Sequence, residues 1–245
     1  GRGTKWSRAD YWNDPAHSGR HGQPRLVRGN ARAWVYTDYD DLGHEVLRVE
    51  QRGDAPVPDG FPYVVSNELH NAACLANAFV TVRDFTPPDG DSGHPDDAAK
   101  LRAETRYVVR DGAATLVGRT WHRYVRLVRD GYDAIRHESW RAATQDAAAG
   151  DASNAYSYEI VYADTGADTP LLMRGAVAES LDADGVLTQN AYALADGVLT
   201  QTSRRSFGGH AFPTYEVVSR DAAYGTVLRR TTRLTDGNAI IADEQ

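Results

Sequence analysis

The hexapeptide Asp184-Gly185-Val186-Leu187-Thr188-Gln189 recurs twelve positions later as Asp196-Gly197-Val198-Leu199-Thr200-Gln201. The same interval reaches Gly208-Gly209, and it separates Gly225 from Gly237. Aspartate tolerates left-handed backbone angles and glycine prefers them, so an Asp-Gly pair suits a tight hairpin turn. Strands between turns spaced at about 8–12 residues read as an antiparallel meander. A helical repeat would need a longer period and fewer glycines.

The segments between turns support strands of two kinds. In Tyr156-Ser157-Tyr158-Glu159-Ile160-Val161-Tyr162 the even positions carry three tyrosines and an isoleucine, which predicts one face on apolar neighbours and the other in water. From Thr226 to Leu234 both faces mix polar and apolar residues, which suits a sheet wetted on both sides better than a tight sandwich. Two stretches interrupt the pattern. Ala72, Leu75, Ala76, Phe79 and Val80 fall at helical spacing behind Ser66 and Asn67, so a short helix near 67–77 competes with an extended segment running into Val80-Thr81-Val82. Residues 86–99 are polar and proline-rich, and they read as an exposed loop inserted into one architecture spanning 1–245.

Composition bounds the function. With 34 acidic residues against 27 basic ones, the net charge of −7 disfavours general attraction to nucleic acid or anionic membrane. There is no apolar run long enough to span a bilayer. The lone cysteine, Cys74, excludes an internal disulfide and reads as a buried, inert thiol. The chain opens on Gly1 with a single methionine, Met173, and is expected to be part of a longer polypeptide.

Enzyme motifs fail one by one. His44-Glu45 and His137-Glu138 are followed by Arg48 and Arg141 where a zinc-binding helix needs histidine. No nucleophile elbow, phosphate loop or dinucleotide fingerprint occurs, so no catalytic residue, metal site or cofactor is expected. Asp38-x-Asp40 lacks the oxygens a calcium loop needs at Leu42 and Val49. Asp89, Asp91, Asp96 and Asp97 read as a solvated acidic loop. Trp121, Tyr124 and Trp140 stand among arginines and could stack a sugar; the plainer reading packs their rings across strands.

One motif has a family resemblance. Tyr39-Asp40-Asp41-Leu42-Gly43-His44 resembles the tyrosine-aspartate (YD) repeat of bacterial RHS proteins, with His44 where the family usually has arginine. Looser echoes occur at Tyr162 to Gly166, Tyr192 to Gly197 and Asp221 to Gly225. The resemblance implies a long curved antiparallel sheet forming part of a hollow shell, secreted or on the cell surface, which encloses a toxin domain or displays a structure. Flanking repeats of the same polypeptide would be its partners. The repeat and turn residues would be Tyr39, Asp40, Gly43, Asp184, Gly185, Asp196, Gly197 and Gly209. A non-enzymatic scaffold is therefore the leading expectation. A carbohydrate-binding sheet surface on Trp121, Tyr124 and Trp140 is the first alternative, and a glycosidase or lyase on a β scaffold the second.

Overall fold

The computed structural model describes residues 7–29, 33–86, 100–163 and 169–244. Its strands are β1 (Ser7–Tyr11), β2 (Pro24–Gly29), β3 (Trp34–Tyr39), β4 (Glu45–Gln51), β5 (Tyr63–Val65), β6 (Glu68–His70), β7 (Asn77–Asp84), β8 (Ala103–Arg110) and β9 (Ala113–Arg129). They continue as β10 (Tyr132–Arg141), β11 (Ala155–Tyr162), β12 (Val177–Leu181), β13 (Val186–Ala195), β14 (Val198–Phe207), β15 (His210–Ala211), β16 (Thr214–Asp221), β17 (Val227–Leu234) and β18 (Ile240–Glu244). Sixteen of them form one antiparallel meander sheet, as the turn spacing predicts. Its order is sequential except that β5 and β6 leave it to make their own hairpin and β15 pairs beside β14.

Tight turns explain this order. Asp196 and Gly197 both take left-handed angles, with φ of 50° and 73°, and β13 and β14 pair through all ten residues without a register shift. Two consecutive left-handed residues give the hairpin whose twist matches that of its strands. Ser66-Asn67, Asp111-Gly112, Asp130-Gly131 and Gly208-Gly209 repeat that pair of angles. The pairs at 111–112 and 130–131 carry the same Asp-Gly signal but lie outside the twelve-residue register.

The chain divides into two compact units, residues 1–122 with 141–154, and residues 123–140 with 155–245. In the first, alternation along β4 and β7 sends Leu47, Val49, Ala78, Val80 and Val82 to one face, where all are buried. The segment 52–76 covers that face: Phe61 stacks on Tyr36 at 4.0 Å, Trp34 donates its indole N–H to the Ala55 carbonyl (3.1 Å), and Leu75 is buried. Burial of each such aliphatic side chain stabilises by about 1.5–3 kcal/mol. The apolar faces of these strands are regular enough to need a cover, unlike the mixed faces expected from Thr226 to Leu234. The opposite face carries a charge ladder in which Arg83 bonds Glu104 across β7 and β8 (3.0 Å) and Glu104 also takes Arg106.

In the second unit Met173, on a 3-10 turn at Leu171–Met173, packs with Ala134, Ile160, Tyr162, Ala178 and Leu199. Beyond that cluster, β17 buries only Thr231, and both faces are wet as the sequence predicts.

The short helix near 67–77 does not form. Ser66, Asn67 and Asn71 take left-handed angles, which breaks any helical run, and a 3-10 turn at Ala72–Cys74 is all that the helical spacing yields. The extended alternative prevails because the β-branched residues of β7 pair with β4 and β8. Of the polar segment 86–99, residues 87–99 lie outside the described residues, as do Asp89, Asp91, Asp96 and Asp97. Among the described residues no helix is long and apolar enough to cross a membrane.

The 3-10 turn leans on the β8–β9 hairpin, where Gly112 donates its N–H to the Leu75 carbonyl (2.9 Å). A methyl group on Gly112 would lie 3.1 Å from the Ala73 carbonyl oxygen, whereas one on Gly197 meets nothing within 4 Å. Both glycines have positive φ, so alanine carries the left-handed penalty of about 1–2 kcal/mol at either site. Urea unfolding is expected to show that loss for Gly197→Ala and a clearly larger one for Gly112→Ala; equal losses would contradict the close packing of the 3-10 turn.

Candidate functional site

The β3–β4 turn is built on Asp40. Its N–H donates to the His44 carbonyl (3.0 Å), and its carbonyl accepts the Gly43 N–H (3.1 Å). One carboxylate oxygen accepts the N–H groups of Leu42 and His44, each at 2.9 Å, and the other lies 2.8 Å from His44 Nδ1. Tyr39 ends the strand before it, and Gly43 takes φ 88°. The β12–β13 turn repeats this arrangement. Asp182 donates to the Val186 carbonyl (3.1 Å) and accepts the Gly185 N–H (3.0 Å), while its Oδ1 accepts from Asp184 (3.0 Å) and Val186 (2.9 Å).

The aspartate that organises the second turn is thus Asp182. Asp184, singled out by its Asp-Gly pair, supplies a backbone N–H to it. The signal available in the sequence was aspartate three residues ahead of glycine, shared by 40–43 and 182–185. Asp221 makes a version one residue longer, accepting from Ala223 and Tyr224 (2.9 Å each) and from Gly225 (2.8 Å). Gly19 presses on the first turn so closely that a methyl group there would sit 2.3 Å from the Asp40 carbonyl oxygen.

In the second unit, tyrosines of β11 meet carboxylates. Glu138 is buried and accepts from Arg123 and, through its other oxygen, from Tyr156 (2.8 Å) and Arg136 (3.2 Å). Tyr158 donates to Glu179 (2.7 Å), which also takes Gln189 (3.0 Å) and Arg129 (3.2 Å). Tyr162 donates to Asp130 (2.7 Å). The predicted apolar face of this strand therefore carries its hydroxyls into ion clamps. Burial alone would raise the Glu138 and Glu179 carboxyls, but hydrogen bonds and neighbouring arginines outweigh it and hold both below the usual carboxylate range. Tyr158 is pushed up to about 12, first by burial and then by its bond to Glu179. Glu138 and Glu179 stay ionised and Tyr156 and Tyr158 protonated at neutral pH.

The three candidate stacking residues do not share one surface. Tyr124 stacks on His137 (4.5 Å, 6° between planes), whereas Trp140 leans on Tyr156 at 5.3 Å under the Arg123 guanidinium. His137 and Trp140 differ by an odd number of positions along β10, so Tyr124 and Trp140 face opposite sides of the sheet. Trp121 belongs to the first unit, half-buried opposite Ala103 with Arg119 5.9 Å from its ring. On the Tyr124 side, His137, Ser139, Ser157, Glu159, Ser180 and Asp182 line a shallow concavity of about 300 Å³. The Ser139 and Ser157 hydroxyls lie 2.7 Å apart there.

Cys74 is half-buried rather than buried. Its thiol donates to the Asn71 carbonyl (2.9 Å), and burial pushes it up, away from the reactive thiolate. Among the described residues no group of three or more histidine, cysteine, aspartate or glutamate side chains is placed to hold a metal ion. No protein-family model matches the chain, and no curated protein matches it.

A carboxyl lowered by folding stabilises above its unfolded value, about 4.3 for glutamate, and that contribution is lost as pH falls through the folded value. Stability is therefore expected to fall on acidification below about pH 5. Glu138→Gln, which leaves two partly exposed arginines facing a neutral amide, should cost about 1–2 kcal/mol at pH 7 and flatten the acid slope. Denaturant titrations at pH 3, 4, 5 and 7 measure both; an unchanged slope in the variant would contradict the clamp.

Proposed function

We propose that the chain is a non-enzymatic structural module, a stretch of wall in an RHS-type β-shell of a secreted or cell-surface bacterial protein. The observation that carries this reading is the recurrence of one turn, with the same four backbone and side-chain hydrogen bonds, at Asp40–His44 and at Asp182–Val186. A wall built by repetition needs a reversal that the sequence can specify locally and reuse. The wet faces of β17 and the tyrosine–carboxylate clamps support it, since charged groups here are spent on each other and on holding strands together. In this reading the partners are flanking strands of the same wall and an enclosed toxin domain or displayed surface structure. Electron microscopy of the polypeptide carrying this chain is expected to show it within the wall of a hollow particle. A solid particle without an internal chamber would count against the reading.

A second reading has its own support. The Tyr124–His137 stack borders the concavity of serine hydroxyls and carboxylates, a combination of ring face and hydrogen-bonding groups suited to a neutral sugar. Titration with maltose, cellobiose and chitobiose, followed by amide shifts in NMR, is the check. The expected result is saturable shifts at residues 137–139 and 157–159 that Tyr124→Ala weakens at least fivefold. Absence of shifts at 10 mM sugar would remove this reading and leave the structural one standing.

A further inference from the structure

The second unit holds a larger concavity than the one beside Tyr124. It measures about 800 Å³, within the range of small-molecule sites, and all its lining residues belong to this unit. Three tyrosines form one side, where the Tyr162 ring meets those of Tyr132 (6.1 Å, 85°) and Tyr192 (5.9 Å, 78°) nearly at right angles. Two of their hydroxyls are engaged, Tyr162 on Asp130 (2.7 Å) and Tyr192 on the Val177 carbonyl (2.8 Å). The Tyr132 hydroxyl makes no hydrogen bond among the described residues. Gln189 donates its side-chain N–H to Glu179 (3.0 Å) and keeps its amide oxygen as an acceptor.

The charges decide what fits there. Arg129 is matched by Glu179 (3.2 Å) and Asp130 (3.6 Å). Arg204, on the same concavity, has no carboxylate partner among the described residues. Its guanidinium lies over the Tyr215 ring, 4.6 Å from the centroid, a contact that holds the group in place while its N–H groups stay available. One unmatched guanidinium fork suits one carboxylate, whereas a doubly charged phosphate calls for a second free cation. A chain of net charge −7 has no general attraction for an anion, so affinity must arise from this local arrangement.

We infer that this concavity binds a uronic acid unit of an acidic oligosaccharide, with the sugar carboxylate on Arg204 and its hydroxyls on Tyr132 and Gln189. Hydroxyl and amide groups around the charge match the hydroxyls of a sugar, which an acidic peptide lacks. The inference rests neither on the wall reading nor on the Tyr124 concavity, with which this one shares no lining residue.

Calorimetric titration of the 245-residue chain with trigalacturonate tests it, with far-UV circular dichroism to verify the fold of each variant. Binding should saturate, and the methyl-esterified trimer, which keeps the hydroxyls but loses the charge, should bind at least tenfold more weakly. Arg204→Gln, a change at an exposed side chain, should also weaken trigalacturonate at least tenfold. Arg205→Gln, one position along β14 and on the other face, should bind like wild type. Amide shifts in NMR should fall at residues 189–192 and 202–204. No binding at 10 mM, equal affinity for the ester, or an Arg204→Gln variant that binds like wild type would each overturn the inference. So would equal losses in Arg204→Gln and Arg205→Gln. Shifts confined to 137–139 and 157–159 would overturn it while favouring the Tyr124 concavity.

Discussion

A chain reversal leaves backbone N–H groups pointing at nothing, and here an aspartate side chain collects them. Asp40 and Asp182 each bind two such groups while closing the backbone ring through the glycine three positions on. Several other reversals use left-handed pairs such as Asp196-Gly197, which hydrogen bonds between the flanking strands complete. Because many of the reversals are solved within a few residues, nearly every strand pairs with its sequence neighbour, and a long meander follows with little distant specification.

Local turns align strands but do not bury them. Each compact unit adds its own cover, residues 52–76 over β3, β4 and β7 in the first and the Met173 turn in the second. Where no cover lies over it, the sheet is held by paired polar groups. Glu138 joins β9, β10 and β11 in this way, and Glu179 gathers side chains from β9, β11 and β13. Such clamps explain how strands with few apolar side chains keep one arrangement, and why Glu138 and Glu179 lie below their ordinary range and Tyr156 and Tyr158 above theirs.

Most of the strand order was legible in the sequence because glycine and aspartate report backbone angles directly. Packing was less so. The helical spacing of Ala72, Leu75 and Ala76 is real, but the left-handed angle at Asn71 and the strand partners of β7 override it. The cover over the first unit is written in a proline-rich stretch, 55–62, that has no periodicity to read. Among the candidate site residues, Tyr39, Asp40 and Gly43 occupy one turn, whereas Asp184 drew attention away from Asp182 two positions earlier. Tyr124 and Trp140 are close in sequence terms yet separated by the sheet, since which side chains share a face depends on how strands pair.

The central claim is that one aspartate-centred turn is used twice, at Asp40 and at Asp182. Comparing the unfolding free energies of Asp40→Ala, Asp182→Ala and Asp184→Ala tests it most directly. Loss of the side-chain acceptor for two N–H groups should cost about 1–2 kcal/mol at Asp40 and at Asp182 alike, with Asp184→Ala within about 0.5 kcal/mol of wild type. A larger loss at Asp184 than at Asp182, or no loss at Asp182, would contradict it.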